Sequence, residues 1–521
     1  MPNIINNLSA NENLYFHVFD LEMKIIIRAV LMLGLIIHHH YTYAQAGSLD
    51  LSFGNNGKVA TSLSVTGHSY ASATAIQPDG KIVVAGYTYL GNNIDFGLSR
   101  YNTDGSLDLT FDTDGKVTTD IGDSLDFCYA IAIQADGKLV AVGSTANYSK
   151  VAVVRYNTNG SLDNTFDIDG MLTVGMLGSA IQGYAAAIQA DGKIVIAAQR
   201  FAGANMDFCI IRLNTNGSYD VSFDTDGMVT TNINGDDYAY AIGLQTDGKI
   251  VVAGSSNTDF SVVRYTTNGS LDSTFDADGK VITSVSIGTD MATSMTIQSD
   301  GRIILAGNTN VAGNVHALVR YTTNGSLDTS FDTDGIVLTS NVCSIYGVKI
   351  QNDGKIIAVG SYAVGSSMDF VVVRYNTNGM LDSSFDTDGV VTTDFGFGKD
   401  DFAYATAIQN DGKIVVVGHG YNVSYNNFMV MRYNPGVATN LHTTSVQSYT
   451  IYPNPTKGLL TIQLPVNEYK IILFNAFGQA VYTGNSHTHQ SLVDLQHLSN
   501  GVYLFHLQWD SNSCTVKLIK E

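Results

Sequence analysis

One unit is written seven times along this chain, and that repetition limits the fold more than any other feature. A Gln-x-Asp-Gly-[Lys/Arg] signature begins at Gln77, Gln134, Gln189, Gln245, Gln298, Gln351 and Gln409. An Arg followed by Tyr or Leu recurs at Arg100, Arg155, Arg212, Arg264, Arg320, Arg374 and Arg432. A Leu/Tyr-Asp-x-x-Phe phrase places its acid at Asp50, Asp108, Asp163, Asp220, Asp272, Asp328 and Asp382. Three markers keep step at a spacing of about 56 residues, near the range of propeller blades and solenoid units.

Each unit reads as four short strands. In the copy after Gln134's predecessor, residues 129–134 are small and apolar, Ala135-Asp136-Gly137 turns the chain, and 138–143 is β-rich. Residues 151–156 alternate, Asn157-Thr158-Asn159-Gly160 turns again, and 171–174 supplies the fourth strand. Helical periodicity is absent. Of the acids only Glu12, Glu22, Glu468 and Glu521 are glutamates, the rest being turn-forming Asp. The fold class is therefore all-β, and four antiparallel strands per unit suit a seven-bladed β-propeller. The Ala-rich first strand is expected at the crowded axis, where small side chains leave room.

The ends separate a ring from an open stack. The repeat region starts in mid-unit with Gly47-Ser48-Leu49-Asp50 and a strand at 58–63, and it stops in mid-unit after Arg432-Tyr433-Asn434. The orphan strand can complete the last blade, a one-plus-three closure that removes exposed edges. The two nearly invariant connections of each unit then share one rim. The variable connections, such as 87–93, 147–150, 200–206 and 419–426, share the other, where binding residues are expected on loops held by a rigid frame.

With its Arg-Tyr-Asn-x-x-Gly-Ser-Leu-Asp and Phe-Asp-x-Asp-Gly phrases, the unit resembles the delta-sixty β-propeller repeat of bacterial exported proteins, a resemblance that implies a propeller and no activity. After Pro435 the period stops. A Thr/Ser-rich linker at 437–448 leads to residues 449–521, where strands are expected at 459–464, 469–475, 479–482, 501–508 and 514–519 in a small Ig-like β-sandwich. The phrases Tyr452-Pro453-Asn454-Pro455, Phe474-Asn475-Ala476-Phe477-Gly478-Gln479 and Leu498-Ser499-Asn500-Gly501-Val502-Tyr503 are similar to those of a type A sorting domain of the type IX secretion system. The resemblance implies the type IX secretion machinery as a partner, and a secreted or outer-membrane surface location in a Gram-negative bacterium.

The other end carries a matching address. Lys24 and Arg28 precede an apolar run ending in Ala44-Gln45-Ala46, so residues 23–46 read as a signal peptide cut between Ala46 and Gly47. The apolar span is shorter than the roughly 20 residues a membrane helix needs, so no transmembrane segment is expected once it is removed. Residues 1–22 read as an upstream extension foreign to the mature protein. A net charge of −20 repels phosphate backbones and argues against nucleic-acid binding. Four scattered cysteines exclude a disulfide scaffold.

Candidate chemistry is sparse. Six units carry Asp-x-x-x-Asp-x-Asp-Gly, exemplified by Asp108, Asp112 and Asp114. Clustered carboxylates suit Ca²⁺, the one cofactor considered, yet Asp and Gly also make plain turns, the reading preferred here. Six of the seven Arg have an Asp eight residues on, and closure would give Arg432 Asp50 instead, which points to a structural ion pair or an Arg-to-carbonyl bond. No catalytic motif occurs, and His487 and His489 have no acidic neighbour in sequence.

Two functions are compatible with this. The first is a scaffold binding a glycan, peptide or protein through the variable rim, with Tyr87, Tyr89, Tyr148, Tyr421 and Tyr425 offering flat faces for stacking. The second is an extracellular glycan hydrolase or lyase with carboxylates near the axis, drawn from Asp236, Asp237, Asp400 and Asp401. Binding is favoured over catalysis.

Overall fold

The computed structural model describes residues 45–436 and 450–521, apart from 123–124, 177, 311–314, 341–343, 397, 423, 464–467, 476–478 and 510–511. The expected signal peptide up to residue 44, the expected linker at 437–448 and Cys343 lie outside the described residues. The chain divides into two units, Met1–Val437 and Ala438–Glu521.

In the first unit every repeat folds into a four-stranded antiparallel sheet in simple sequence order, seven sheets in all, consistent with a seven-bladed propeller. The second repeat is representative, with strands Phe127–Ile133, Leu139–Thr145, Lys150–Tyr156 and Met171–Val174. Its first hairpin closes because Gln134 N donates to Lys138 O at 2.9 Å while Gly137 takes φ +84°, a value that favours Gly. The middle strands are buried on both faces between neighbouring sheets, so they read as continuous Val, Ile and Ala runs. Each side chain so buried contributes about 1.5–3 kcal/mol if it is as large as Val or Leu.

The cores join consecutive sheets. Val83, Leu98 and Phe111 pack with Ala141, Val154 and Tyr156 of the next sheet. Phe53, Ala71 and Val84 pack with Val415, Val417 and Val430, which joins the first sheet to the last and closes the series. The strand Lys58–Thr61, two residues shorter than the expected 58–63, pairs antiparallel with Tyr425–Tyr433 in the register Lys58↔Met431 to Thr61↔Phe428. The one-plus-three closure is thus present in the sheet order.

All three sequence markers meet at one node in each repeat. Arg100 Nε lies 2.7 Å from Asp108 Oδ2, and Lys81 Nζ from the Gln-x-Asp-Gly-Lys hairpin reaches the same oxygen at 2.9 Å. The Arg100 guanidinium lies over the Phe111 ring at 4.6 Å and donates from Nη1 to the carbonyl of Thr158 in the next repeat. Arg432 repeats this with Asp50 at 2.8 Å, Phe53 at 4.4 Å and Thr103 O at 2.5 Å, so the last sheet is clamped to the first. The neighbouring Tyr faces the other way. Tyr156 Oη bonds Thr119 Oγ1 of the preceding sheet at 2.8 Å, and Tyr265, Tyr321, Tyr375 and Tyr433 do the same to Thr231, Thr283, Thr339 and Thr393. An Arg-Tyr pair on adjacent strand positions therefore ties these sheets to both neighbours, whereas the third repeat, with Leu213 in place of the Tyr, keeps only the Arg side of the link.

The closing turn is assembled from two chain segments. In ordinary repeats Asn157-Thr158-Asn159-Gly160 is continuous, with Gly160 N donating to Asn157 O at 3.0 Å and Asn159 O accepting from Asp112 N at 2.8 Å. At the closure Gly47 N donates to Asn434 O at 3.0 Å, Ala46 O accepts from Asp386 N at 3.0 Å, and Pro435 O accepts from Arg374 Nη1 at 2.5 Å. Pro435 and Ala46 thus stand where Thr158 and Asn159 stand elsewhere. A mature chain beginning at Gly47 would leave the Asp386 amide without its acceptor. N-terminal sequencing of exported protein is therefore expected to find Gln45 and Ala46 retained; a Gly47 start would show that the turn closes without them.

The second unit holds two sheets. Thr450–Tyr452, Leu459–Gln463 and Gln490–Asp494 form one, and Ala480–Ser486, Tyr469–Phe474, Gly501–Trp509 and Asn512–Lys520 form the other. Leu460, Ile462 and Val493 from the first share a core with Ile471, Leu473, Phe505 and Leu507 from the second. The strands at 450–452 and 490–494 go beyond the five expected; the latter, Gln-Ser-Leu-Val-Asp, alternates too briefly to stand out. His487 has an acidic neighbour after all, since its Nδ1 lies 3.7 Å from Glu468 Oε1 across the sheet. Among the described residues no helix is long and apolar enough to cross a membrane.

Candidate functional site: an aromatic arc around the central cavity

The innermost strand of every sheet carries a bulge at the same position, where one residue is passed over in the pairing. These residues are Ser72, Tyr129, Tyr184, Tyr240, Thr293, Tyr346 and Tyr404. A bulge bends the strand and re-aims a side chain. Here the five tyrosines line a cavity of about 490 Å³ bounded by the inner strands of all seven sheets. The expectation of only small side chains at the axis is thereby corrected. The strand is narrow along most of its length, but its bulge turns a large ring into the opening.

The rings touch in sequence around the cavity. Starting at Tyr346, centroid distances are 4.9 Å to Tyr404, then 5.3 Å to His419, 4.5 Å to Tyr70 and 5.2 Å to Tyr87. The series continues at 5.0 Å to Phe127, 6.3 Å to Tyr129, 5.1 Å to Tyr184 and 5.4 Å to Tyr240. It spans six sheets and breaks at the seventh, where Thr293 stands in the bulge with its hydroxyl donating to Ile345 O at 2.7 Å. Methionines Met291 and Met295 line the cavity there.

Four of the five expected tyrosines join this surface. Tyr87 is in the arc, Tyr148 stacks on Phe127 at 4.6 Å, and Tyr89 and Tyr425 meet His68 at 6.3 and 5.4 Å, with His68 against Tyr70 at 6.1 Å. Tyr421 stands apart, with Lys399 Nζ 6.0 Å from its ring. Tyr129, Tyr184, Tyr240, Tyr346 and Tyr404 were not anticipated, although a signal exists: each stands five residues before the Gln of its Gln-x-Asp-Gly signature.

The arc is electrically quiet. Burial, then neighbouring phenols, pushes Tyr240 and Tyr404 up to about 12 and raises Tyr87, Tyr129 and Tyr184 as well, so these phenols stay protonated. Burial, helped by His68, lowers His419 to about 4, leaving it neutral at pH 7. Among the described residues lining the cavity, Lys349 is the one amine and none is a carboxylate.

The acids serve elsewhere. Asp236 and Asp400 accept the amides of Met206 and Met368 at 2.9 Å, while Asp237 and Asp401 are buried at the starts of innermost strands, where Asp237 accepts from Ser256 at 2.6 Å; none of the four is among the residues lining the cavity. In the Asp108, Asp112, Asp114 loop, Asp108 is held by Arg100 and Lys81, Asp112 takes φ +45°, and Asp114 accepts from Lys116 N at 2.9 Å. That is the work of a turn. Among the described residues, the acids that converge are two other sets, Asp95, Asp120, Asp126 and Asp369, Asp394, Asp401. Cys128 and Cys209 are buried free thiols.

Comparison with known proteins agrees with this architecture. No curated protein matches the chain. Among solved structures, YCF48 bound to D1 peptide is similar at 10% identity, over 76% of this chain and 99% of that one, with a TM-score of 0.42. A polysaccharide lyase of family PL25, an ulvan lyase, matches at 13% identity over 75% and 95% with a TM-score of 0.40. PorZ, a surface component of the type-IX secretion system of Porphyromonas gingivalis, matches at 9% identity over 87% and 81% with a TM-score of 0.24. Likeness this distant carries nothing about ligand or chemistry. The family matches are direct. Residues 450–521 match the Secretion system C-terminal sorting domain, which indicates export to the cell surface or secretion in Bacteroidetes-type Gram-negative bacteria. Residues 77–111, 134–166, 189–223, 245–275, 298–331, 351–385 and 409–436 match the Domain of unknown function (DUF5122) beta-propeller. The chain thus carries a sevenfold DUF5122 beta-propeller repeat followed by a secretion-system sorting domain.

Proposed function

We propose that this protein is an exported binding scaffold that holds a glycan on the aromatic arc of its variable rim. A leader within residues 23–46 serves the first membrane, and the sorting domain, read as an Ig-like sandwich, serves the second. The unbroken run of ring contacts over six sheets carries the reading. Neutral aromatic faces around an opening stack against the apolar faces of sugar rings, and phenol hydroxyls supply hydrogen bonds to their edges. A peptide or protein ligand would use the same surface through its own apolar side chains. The hydrolase or lyase alternative has less support, because it requires two carboxylates facing one bond, and the cavity lining offers none.

A glycan array with the exported protein, followed by titration of the best ligand, tests this. Tyr87→Ala and Tyr404→Ala are each expected to weaken binding about tenfold, since one stacked ring contributes roughly 1 kcal/mol beyond its buried area. Tyr421→Ala, outside the arc, should leave affinity unchanged. Equal loss in all three variants, or none, would remove the arc as the binding surface.

A further inference from the structure

The carboxylates of Asp369, Asp394 and Asp401 converge between the last two sheets, with one oxygen of each within 4.8 Å of the others. Asp369 lies on Ser367–Tyr375, Asp394 follows the outer strand Val390–Thr393 of the same sheet, and Asp401 opens the innermost strand of the next, Asp401–Ile408. Asp401 is fully buried and Asp369 is 5% exposed, yet Oδ1 of each lacks a hydrogen-bond partner. Asp401 Oδ2 accepts from Phe395 N at 2.8 Å, and Asp394 Oδ1 accepts from Gly396 N at 2.6 Å. Lys58 Nζ, the cation beside the cluster, donates to the backbone carbonyl of Asp394 at 2.6 Å. When all three carboxylates are ionised, they exceed the one ammonium by two negative charges. Buried carboxylate oxygens without partners are costly unless a cation or proton meets them.

Equivalent positions in other repeats show what normally fills this space. Asn232 stands where Asp394 does and donates from Nδ2 to Asp207 Oδ1 at 2.9 Å, and Ser256 donates to Asp237 Oδ1 at 2.6 Å. At Asp95 and Asp126, Asn93 Nδ2 donates to Asp95 Oδ1 at 2.8 Å and Thr145 Oγ1 to Asp126 Oδ1 at 2.5 Å. Asp401 pairs across the strands with Gly420, where Asp237 pairs with Ser256. The hydroxyl is absent, and a Cβ at Gly420 would stand only 2.0 Å from Asp401 Oδ1. Opposite Asp401 this repeat has lost the hydroxyl donor and kept the acids.

We propose that Asp369, Asp394 and Asp401 form a site for a divalent cation of the Ca²⁺ class. The donors are hard oxygens, their net charge matches a dication, and exposed Asp394 gives access from solvent. Water would complete the six to eight oxygens that Ca²⁺ takes. The site lies outside the aromatic arc and stands or falls independently of the glycan reading.

Full-length exported protein, stripped with EDTA and titrated with CaCl₂ at pH 7.5 by calorimetry and thermal unfolding, tests the assignment. Binding with a raised Tm is expected. Asp394→Asn and Asp394→Ser, changes at an exposed position, should lower affinity at least ~10-fold, because even outer-shell partners of a metal contribute that much. Asp120→Asn, in the sister cluster, should retain the Asp394-dependent event. No heat and no Tm change up to millimolar Ca²⁺ would overturn the proposal and leave a proton as the group that relieves the charge. Ca²⁺ affinity unchanged in both Asp394 variants would overturn it equally, and an equal response to MgCl₂ would overturn the Ca²⁺ class.

Discussion

Asp272→Ala is expected to destabilise the propeller unit by about 3–5 kcal/mol in denaturant unfolding, the usual result of stranding one member of a buried ion pair. Arg264 and Asp272 are 4% exposed and meet at 2.7 Å, so without the carboxylate the guanidinium stays in the core with neutral partners, Thr323 O, Thr274 Oγ1, Gln245 Oε1 and the Phe275 ring. Lys249 reaches the same oxygen at 3.1 Å but keeps 28% of its side chain in solvent, so Lys249→Ala should cost about 1 kcal/mol or less. An Arg264→Met/Asp272→Leu double variant is expected to recover most of the loss. If it does not, the single variant's cost lies in lost contacts rather than in stranded charge. The same node sets the acid limit. Burial opposes ionisation of Asp272, but hydrogen bonds from Thr274 and Lys249 and the charge of Arg264 outweigh it and hold the carboxyl at about 2; Asp50, Asp163 and Asp382 are also held at about 2. Because these values lie below the ordinary carboxylate value of about 3.9, their contribution is complete above about pH 4 and disappears as pH falls toward 2. Wild-type stability should therefore drop steeply in that window, and less steeply in the double variant.

Joining Pro435 directly to Ala46 is expected to yield a covalently closed ring more stable than the linear chain by up to about 5 kcal/mol. Cross-linking a loop of several hundred residues removes that order of chain entropy from the unfolded state. The junction needs no new loop, because Pro435 and Ala46 already occupy the two central places of the repeated Asn-Thr-Asn-Gly turn and make its hydrogen bonds to Arg374 and Asp386. A Cβ placed on Gly436 would stand 2.5 Å from the Cβ of Ala46, which shows how closely the ends approach. Head-to-tail ligation of residues 46–435 by a split intein, compared with the same residues uncyclised, measures the effect as a shift in the denaturation midpoint. A cyclic form no more stable than the linear one would mean that the closure is strained or that the ends do not meet in solution.

Sheet number, strand order and closure were legible because each repeat carries its own full set of constraints. The Arg, Asp, Lys and Phe of the node are all needed to satisfy one set of loop donors and acceptors, so they recur together at constant spacing. The eight-residue Arg-to-Asp interval anticipated the ion pair, and the mid-unit start anticipated Asp50 as the partner of Arg432. Tyr87, Tyr89, Tyr148 and Tyr425 were expected on variable loops; the structure leaves Tyr148 in a turn but sets the other three half-buried at strand ends, and their shared surface was not legible. It depends on His68, Tyr70 and Phe127, which are remote in sequence.

By itself, the sequence determined how many sheets form, how each one turns, what clamps it to its neighbours and how the ring shuts, since those interactions are set by short spacings repeated in every copy. Only the tertiary structure decided where function can sit. The aromatic arc arises from bulges that rotate five tyrosines into one opening, and the Asp369, Asp394, Asp401 cluster arises from two blades meeting beside a Gly420 that offers no hydroxyl. Both depend on how separate sheets are inclined to each other around an axis, and no interval along the chain encodes that inclination.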